Sequence, residues 1–231
     1  MNLKSKLKSL VQKTPVINQI LGMGEDPLAE GKTTHIIHSM GKTGTTSIKE
    51  SFTQAHIPFL YAHYLNGPHI PEKLSLDEDS YYVISPIREP LRRNISAYFE
   101  NYYQQGKATI SDFIHNYPHH VPLLWFDREI RGFWGVDVYK EEFDVDRGWQ
   151  IYKADRARIL VIRMENFSAW PQAYQALTGE EAPKLVHTHK TDETEYRRFL
   201  KEEIVPEYYE NFITQSKYAQ HFYRDFYSNN N

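Results

Sequence analysis

The chain has 231 residues, 40% of them hydrophobic and 25% charged, which is typical of a soluble globular protein with one ordinary α/β domain. Its net charge of −3 excludes a global basic field of the kind that binds nucleic acid, so any anion site must be local. The absence of cysteine excludes disulfides and thiolate metal sites, and no apolar run is long enough to span a membrane.

Residues 1–30 are predicted to form a helix and a lead-in loop before a single domain over residues 31–231. Four apolar residues recur there at helical spacing, with lysines between them: Leu3, Leu7, Leu10 and Val11. The segment lacks the apolar core and cleavage site of a signal peptide, so we expect a cytoplasmic protein. Two interpretations of the amphipathic helix stay open. It lies on the surface of the domain, or it makes a weak contact with a partner or with a membrane surface, which would make the protein peripheral.

Strands alternate with helices along the domain, which predicts a mostly parallel sheet. The predicted strands lie, in chain order, at 34–39, 57–63, 80–89 and 157–164. The predicted helices lie at 45–56, 91–105, 168–179, where Gly179 is the stop, and 192–227, broken at Pro206. Residues 109–150 are expected to form helical patches and turns.

The turn after the first predicted strand contains Gly41, Lys42 and Thr43, which match the end of a nucleotide-binding P-loop. A kinase-type loop also needs a glycine at position 36, where this chain has Ile36 inside the strand, so that motif is incomplete. The turn nevertheless combines two glycines, one lysine and four hydroxyl side chains at the start of a helix, whose N-terminus favours an anion. These residues predict an anion site: Gly41, Lys42, Thr43, Gly44, Thr45, Thr46 and Ser47.

A second set of residues follows the strand predicted at 80–89. Arg88 lies at its carboxyl end, the edge of an α/β sheet where ligands bind, and Ser96 lies about two turns into the next helix. The planar guanidinium group of arginine suits a phosphate. The alternative is a surface Arg88 that pairs with Glu89 or Glu100.

Together, "KTGTT" after the first strand and "REPLRRNISAY" after a later one resemble the two nucleotide-binding motifs of the sulfotransferases that use 3′-phosphoadenosine 5′-phosphosulfate (PAPS). The segments "WFDREIRGFWGVDVY" and "SKYAQHFY" resemble a bacterial branch described as putative capsular polysaccharide synthesis proteins. The resemblance implies a three-layer α/β/α fold with a central parallel sheet, the nucleotide-kinase-like P-loop sulfotransferase fold. It also implies a hydroxyl of a glycan or another small acceptor as substrate, 3′,5′-ADP as product, and no metal.

The resemblance implies a role for each residue of the two motifs. Lys42 would contact the oxygen that bridges phosphate and sulfate and would stabilise the leaving phosphate, while residues 43–47 would hold the 5′-phosphate and the sulfate. Arg88 and Ser96 would hold the 3′-phosphate. Because a basic late loop covers the nucleotide in this family, Lys190 is a further candidate phosphate ligand.

The acceptor hydroxyl needs a base, and family members use a glutamate or a histidine near the end of the second strand. His63 ends that strand here, with no carboxylate near it in the sequence, so it is the predicted base. His69 and His56 are competing candidates, and a structural role for His63 is the alternative. His35 and His38, which flank the first strand, are expected to pack in the core.

The acceptor itself is not identified by the sequence. Aromatic and basic side chains of the middle segment either bind a sugar or fill the core: Trp125, Phe126, Trp134, Trp149, Arg128 and Arg131. Two other functions stay open, a P-loop kinase or other nucleotide-dependent transferase and a non-catalytic glycan-binding relative. The sequence does not indicate an oligomeric state.

Overall fold

A computed structural model describes residues 24–25, 34–65, 81–101, 108–188 and 193–227. The predicted N-terminal helix, His69 and Lys190 lie outside these residues. Six strands form one sheet in the order β1-β3-β2-β4-β6-β5: β1 Gly24–Glu25, β2 His35–His38, β3 Phe59–Ala62, β4 Tyr81–Ile87, β5 Trp149–Lys153 and β6 Ala157–Arg163. The four central strands are parallel, as predicted, whereas β1 and β5 are antiparallel at the edges and were not predicted.

The helices are α1 Thr45–Gln54, α2 Pro90–Asn101, α3 Ile110–Asn116, α4 Val121–Trp125, α5 Arg131–Trp134, α6 Trp170–Thr178, α7 Glu193–Glu202, α8 Glu207–Thr214, α9 Lys217–Phe222 and α10 Arg224–Tyr227. A π-helical turn, Phe126–Ile130, joins α4 to α5, and 3-10 turns cover Val138–Lys140 and Met164–Ala169. The predicted stop of α6 at Gly179 is confirmed, since this residue ends the helix with φ 86°. The predicted break at Pro206 is also confirmed, because α8 begins directly after it.

Helices cover both faces of the sheet, which makes three layers. On one face, apolar side chains of β2, β4 and β6 pack against α1 and α6, with Phe52 and Trp170 fully buried. On the other face, the neighbouring side chains of the same strands pack against α4, the π-turn and α9, with Phe126 and Phe222 buried. Each such aromatic or aliphatic side chain contributes about 1.5–3 kcal/mol by its burial.

Several aromatic residues considered for sugar binding lie in this core instead. Trp125, Phe126 and Trp149 are buried, so they do not present a ring face to an acceptor. Trp134 is partly buried and donates its indole N–H to Nδ1 of His38 at 3.2 Å. His35 and His38 are buried, which confirms their predicted place in the core.

The C-terminal helices are attached to the strand ends by polar contacts. The buried Arg163, at the end of β6, makes two hydrogen bonds of 2.9 and 2.6 Å to the carboxylate of Asp225 in α10. The Tyr223 hydroxyl donates to Glu165 at 3.1 Å, and the Tyr218 hydroxyl donates to the backbone carbonyl of Arg88 at 2.9 Å. Helix α9 thereby fixes the backbone at the carboxyl end of β4.

Candidate anion-binding site

The loop between β2 and α1 leaves the carboxyl end of a central strand. Three of its residues have positive φ: Gly41 at 79°, Lys42 at 59° and Gly44 at 85°. Glycine adopts this conformation freely, but for lysine it carries a strain of about 1–3 kcal/mol that the surroundings must hold. A strained lysine in a loop directed at the sheet edge is a feature typical of functional sites.

Hydroxyl groups hold this loop from inside. The Ser39 and Thr45 hydroxyls are 2.7 Å apart, and the Thr43 and Thr45 hydroxyls are 3.3 Å apart. All three side chains are buried, so their hydroxyls stabilise the turn. Thr46 is exposed on the first turn of α1, where it faces outward.

Two arginines hold the loop from behind. The buried Arg93 donates to the carbonyls of Met40 at 2.7 Å and Gly41 at 3.2 Å, and Arg88 donates to the carbonyl of Lys42 at 3.5 Å. In a trans peptide the N–H points away from the carbonyl of the same peptide, so the N–H groups of Gly41, Lys42 and Thr43 are directed away from these guanidinium groups. Among the described residues, none accepts a hydrogen bond from the backbone N–H groups of residues 42–46.

Arg93 was not predicted as part of the site. It lies three residues before Ser96 on α2, a spacing that puts the two residues on one side of the helix, and its side chain contacts the loop. The adjacent arginines in "LRRNIS" were the only indication of this residue in the sequence, and the sequence does not show which of the two side chains is buried against the loop. The structure shows that Arg93 is buried and Arg92 is exposed.

The structure brings Lys42 and Arg88 together at the sheet edge. Arg88 is half-buried and donates to the Tyr196 hydroxyl at 3.3 Å, and no carboxylate of the described residues pairs with it. The alternative of an Arg88 paired with Glu89 or Glu100 is therefore wrong. Glu89 accepts from the N–H groups that open α2, and Glu100 pairs with Lys42, Nζ to Oε1, at 3.3 Å.

Ser96 lies at this site but does not protrude from it. It is buried, at 3% exposure, on the face of α2 that contacts the loop. One helical turn further along the same face is Glu100, which reaches Lys42. The role of Ser96 in holding a phosphate stays a prediction.

His63 lies beside the loop, as its position at the end of β3 predicted. A Cβ atom on Gly41 would come within 3.0 Å of its ring, so glycine is needed there for this close approach. Its Nδ1 lies 2.5 Å from the Ser39 carbonyl, which can only accept, so Nδ1 carries the proton. Nε2 is then the acceptor of the Tyr61 hydroxyl at 2.5 Å.

Burial sets the titration of this histidine and its tyrosine partner. Desolvation, aided by the nearby charge of Arg93, lowers the pKa of His63 to about 4. Desolvation and the carboxylate of Glu100 raise the pKa of Tyr61 above its ordinary value. The ring of Tyr61 also lies 4.2 Å from the Lys49 ammonium. At neutral pH the imidazole and the phenol are both uncharged.

A late segment of the chain reaches the same site. The Thr188 and Ser47 hydroxyls are 3.3 Å apart, and the N–H of Val186 donates to the Ser51 hydroxyl at 2.8 Å. This segment therefore crosses the first turns of α1, two residues before Lys190. The position of Lys190 itself stays a prediction.

Two further features concern ligands of other kinds. The described part of the chain contains no group of three or more His, Asp or Glu side chains placed to hold a metal ion. None of its helices combines the length and the apolar character that crossing a membrane requires.

The sequence of the second half matches a known family. Residues 113–224 match the NKWYS family, described as putative capsular polysaccharide synthesis protein. The match covers just under half of the chain and includes β5, β6 and the C-terminal helices up to Arg224. It is consistent with a role connected with glycans. The loop after β2, His63 and Arg88 all lie before it. No curated protein and no solved structure matches the chain.

Proposed function

We propose that the protein is a sulfotransferase that moves a sulfuryl group from PAPS to a hydroxyl of a glycan or another small acceptor. The observation that carries the proposal is the loop after β2, where the N–H groups of residues 42–46 have no acceptor among the described residues and lie beside Lys42 and an Arg88 that no described carboxylate pairs with. The NKWYS match supports a glycan-related role.

The residues fit a ligand with two anionic ends. The loop N–H groups and Lys42 suit a phosphosulfate group, because a helix N-terminus and an ammonium group both favour negative charge. The guanidinium group of Arg88 suits a second phosphate. Because 3′,5′-ADP has a phosphate on its 3′-oxygen and 5′-ADP does not, Arg88 would distinguish the two nucleotides. In the reaction the acceptor oxygen bonds to sulfur while the bond from sulfur to the phosphate oxygen breaks, and Lys42 stabilises the charge on the departing phosphate.

The test of the proposal is calorimetry with 3′,5′-ADP, 5′-ADP and ATP, each with and without Mg²⁺. We expect 3′,5′-ADP to bind without Mg²⁺ and to be preferred over 5′-ADP. At 100 times its dissociation constant it should raise the free energy of unfolding by about 2.7 kcal/mol, which thermal unfolding would record. Binding of ATP alone, and only with Mg²⁺, would instead support a P-loop kinase, and no binding would support a non-catalytic relative.

The second arm of the test is Arg88→Ala, with the exposed Arg92→Ala as the matched control. Loss of a charge-assisted hydrogen bond costs about 1.5–3 kcal/mol, which is roughly a tenfold to hundredfold change in affinity. We expect Arg88→Ala to reduce the preference for 3′,5′-ADP over 5′-AMP by that factor and Arg92→Ala to leave it unchanged. An unchanged preference in Arg88→Ala would contradict the assignment of the 3′-phosphate site.

A further inference from the structure

A carboxylate that no sequence motif indicated lies beside Lys42 at this site. Glu100 is on the last full turn of α2, and its Oε1 is 3.3 Å from Nζ of Lys42. The side chain is 55% exposed, so it is open to solvent on its other side. Lys42 is its only partner among the described residues.

Glu100 and His63 differ in their access to a substrate. Both ring nitrogens of His63 are engaged, Nδ1 with the Ser39 carbonyl and Nε2 with the Tyr61 hydroxyl. To take a proton from an acceptor, Nε2 would first have to lose Tyr61 and then hold a charge in a buried place. The carboxylate of Glu100 needs neither change, because it lies beside an ammonium group and is half open to solvent.

We infer that Glu100 is the base that takes the proton of the acceptor hydroxyl, and this inference rests on the proposed sulfotransferase function. When the donor binds, its phosphosulfate replaces Glu100 as the counter-ion of Lys42. The freed carboxylate accepts a hydrogen bond from the acceptor hydroxyl and then its proton. The acceptor oxygen forms its bond to sulfur, the bond from sulfur to the phosphate oxygen breaks, and Glu100 later releases the proton to water.

The charged and titratable groups around Glu100 give the other residues supporting roles. Lys42 approaches it from the loop after β2, and Tyr61 of β3 lies close enough for the carboxylate to raise its pKa. His63 holds the Tyr61 hydroxyl and is itself a positioning residue, since it reaches the acceptor side only through that hydroxyl. Lys49 lies against the ring of Tyr61 and adds positive charge on the side of α1.

The experiment compares Glu100→Gln with the wild-type protein and with Glu50→Gln, which changes an exposed glutamate of α1. One measurement is the affinity for 3′,5′-ADP by calorimetry. The other is the transfer of the labelled sulfuryl group from PAPS, first to water, which yields free sulfate, and then to neutral oligosaccharides, which yields a sulfated sugar, as a function of pH. General-base catalysis contributes about 10²–10⁴-fold, so turnover of Glu100→Gln should fall within that range.

We expect Glu100→Gln to bind 3′,5′-ADP at least as tightly as the wild type, because a negative charge next to the phosphate site is removed. Its remaining turnover should vary less with pH than that of the wild type, because an amide replaces the general base. Full or increased turnover in Glu100→Gln would overturn the inference. It would also be overturned if His63→Ala lost more turnover than Glu100→Gln and also lost the pH dependence of the wild type. Failure of the wild type to bind 3′,5′-ADP would instead refute the proposed function.

Discussion

At the scale of single residues, burial determines the charge of the His63 imidazole. The imidazole is neutral in the folded protein because its pKa is lowered to about 4, whereas in the unfolded chain it has the ordinary value of about 6.5. Between these values the unfolded chain binds more protons than the folded protein. The free energy of unfolding therefore decreases as the pH falls from 7 toward 4.

We predict that His63→Asn reduces this acid sensitivity. From pH 7 to pH 5 the buried histidine should lower the free energy of unfolding of the wild type by about 2 kcal/mol, and the variant should lack this contribution whatever its stability at pH 7. Urea unfolding at several pH values measures the difference. The exposed His56→Asn is the control and should keep the wild-type slope. Parallel slopes for the wild type and His63→Asn would show that the imidazole is not buried in its neutral form.

The site also shows which residues a sequence can and cannot place. The loop after β2, Arg88 and His63 meet at one edge because parallel strands end there, and this rule holds for any sequence with that pattern. Arg93 and Glu100 depend instead on how α2 is rotated against the loop. Their helix shows no motif for that rotation, so only the folded structure brings Glu100 to Lys42.

At the scale of elements, Gly44 joins the loop to α1. Both its positive φ and its close contact with a neighbouring side chain require glycine. Its φ is 85°, and a Cβ atom there would come within 2.6 Å of the Phe167 ring in the 3-10 turn after β6. Gly135, which ends α5 with φ 74°, has no atom within 4 Å of such a Cβ. The two glycines therefore share the backbone requirement but differ in the close contact.

We predict that Gly44→Ala destabilises the protein more than Gly135→Ala. The backbone conformation alone should cost either variant about 1 kcal/mol, and overpacking against Phe167 should add about 1–3 kcal/mol to Gly44→Ala. Urea unfolding gives both values. We also expect Gly44→Ala to weaken binding of 3′,5′-ADP, since Gly44 is the N-cap of α1 and belongs to the anion-binding loop. Equal destabilisation of the two variants would mean that Phe167 moves aside freely.

The elements themselves were predicted to different degrees. The strongly apolar strands β2, β4 and β6 and the amphipathic helices α1 and α6 follow from their periodicity. Strand β5 was missed because it is a short edge strand without clean alternation, whose existence depends on pairing with β6. The π-turn at Phe126–Ile130 was missed because a widened turn has no signal in a 3.6-residue period.

At the scale of the whole molecule, a largely buried ion pair connects the C-terminal helices to the end of β6. Arg163 is 1% exposed and also donates to the Phe222 carbonyl at 2.6 Å, so its charge is held inside the protein. The side chain of Asp225 is 36% exposed. Removal of the carboxylate leaves the buried guanidinium without its counter-charge, which is more costly than loss of a surface pair.

We predict that Asp225→Ala lowers the free energy of unfolding by about 3 kcal/mol, the lower end for a broken buried pair because Asp225 is partly exposed. The control is Glu142→Ala, which removes the partner of Arg224 from a pair whose carboxylate is 81% exposed and should cost under about 1 kcal/mol. Urea unfolding compares them. A loss in Asp225→Ala no larger than that of the control would show that the carbonyl contacts of Arg163 are sufficient.

Arg163 and Asp225 are 62 positions apart in the sequence, so the two partners of this ion pair are synthesised at different times. A ribosome adds about 5–20 residues per second, so Asp225 is synthesised roughly 3–12 seconds after Arg163. During that interval the guanidinium group at the end of β6 lacks the Asp225 carboxylate with which it pairs in the folded protein. The nascent sheet therefore cannot bury this end of β6 at its full stability until Asp225 is available to pair with Arg163.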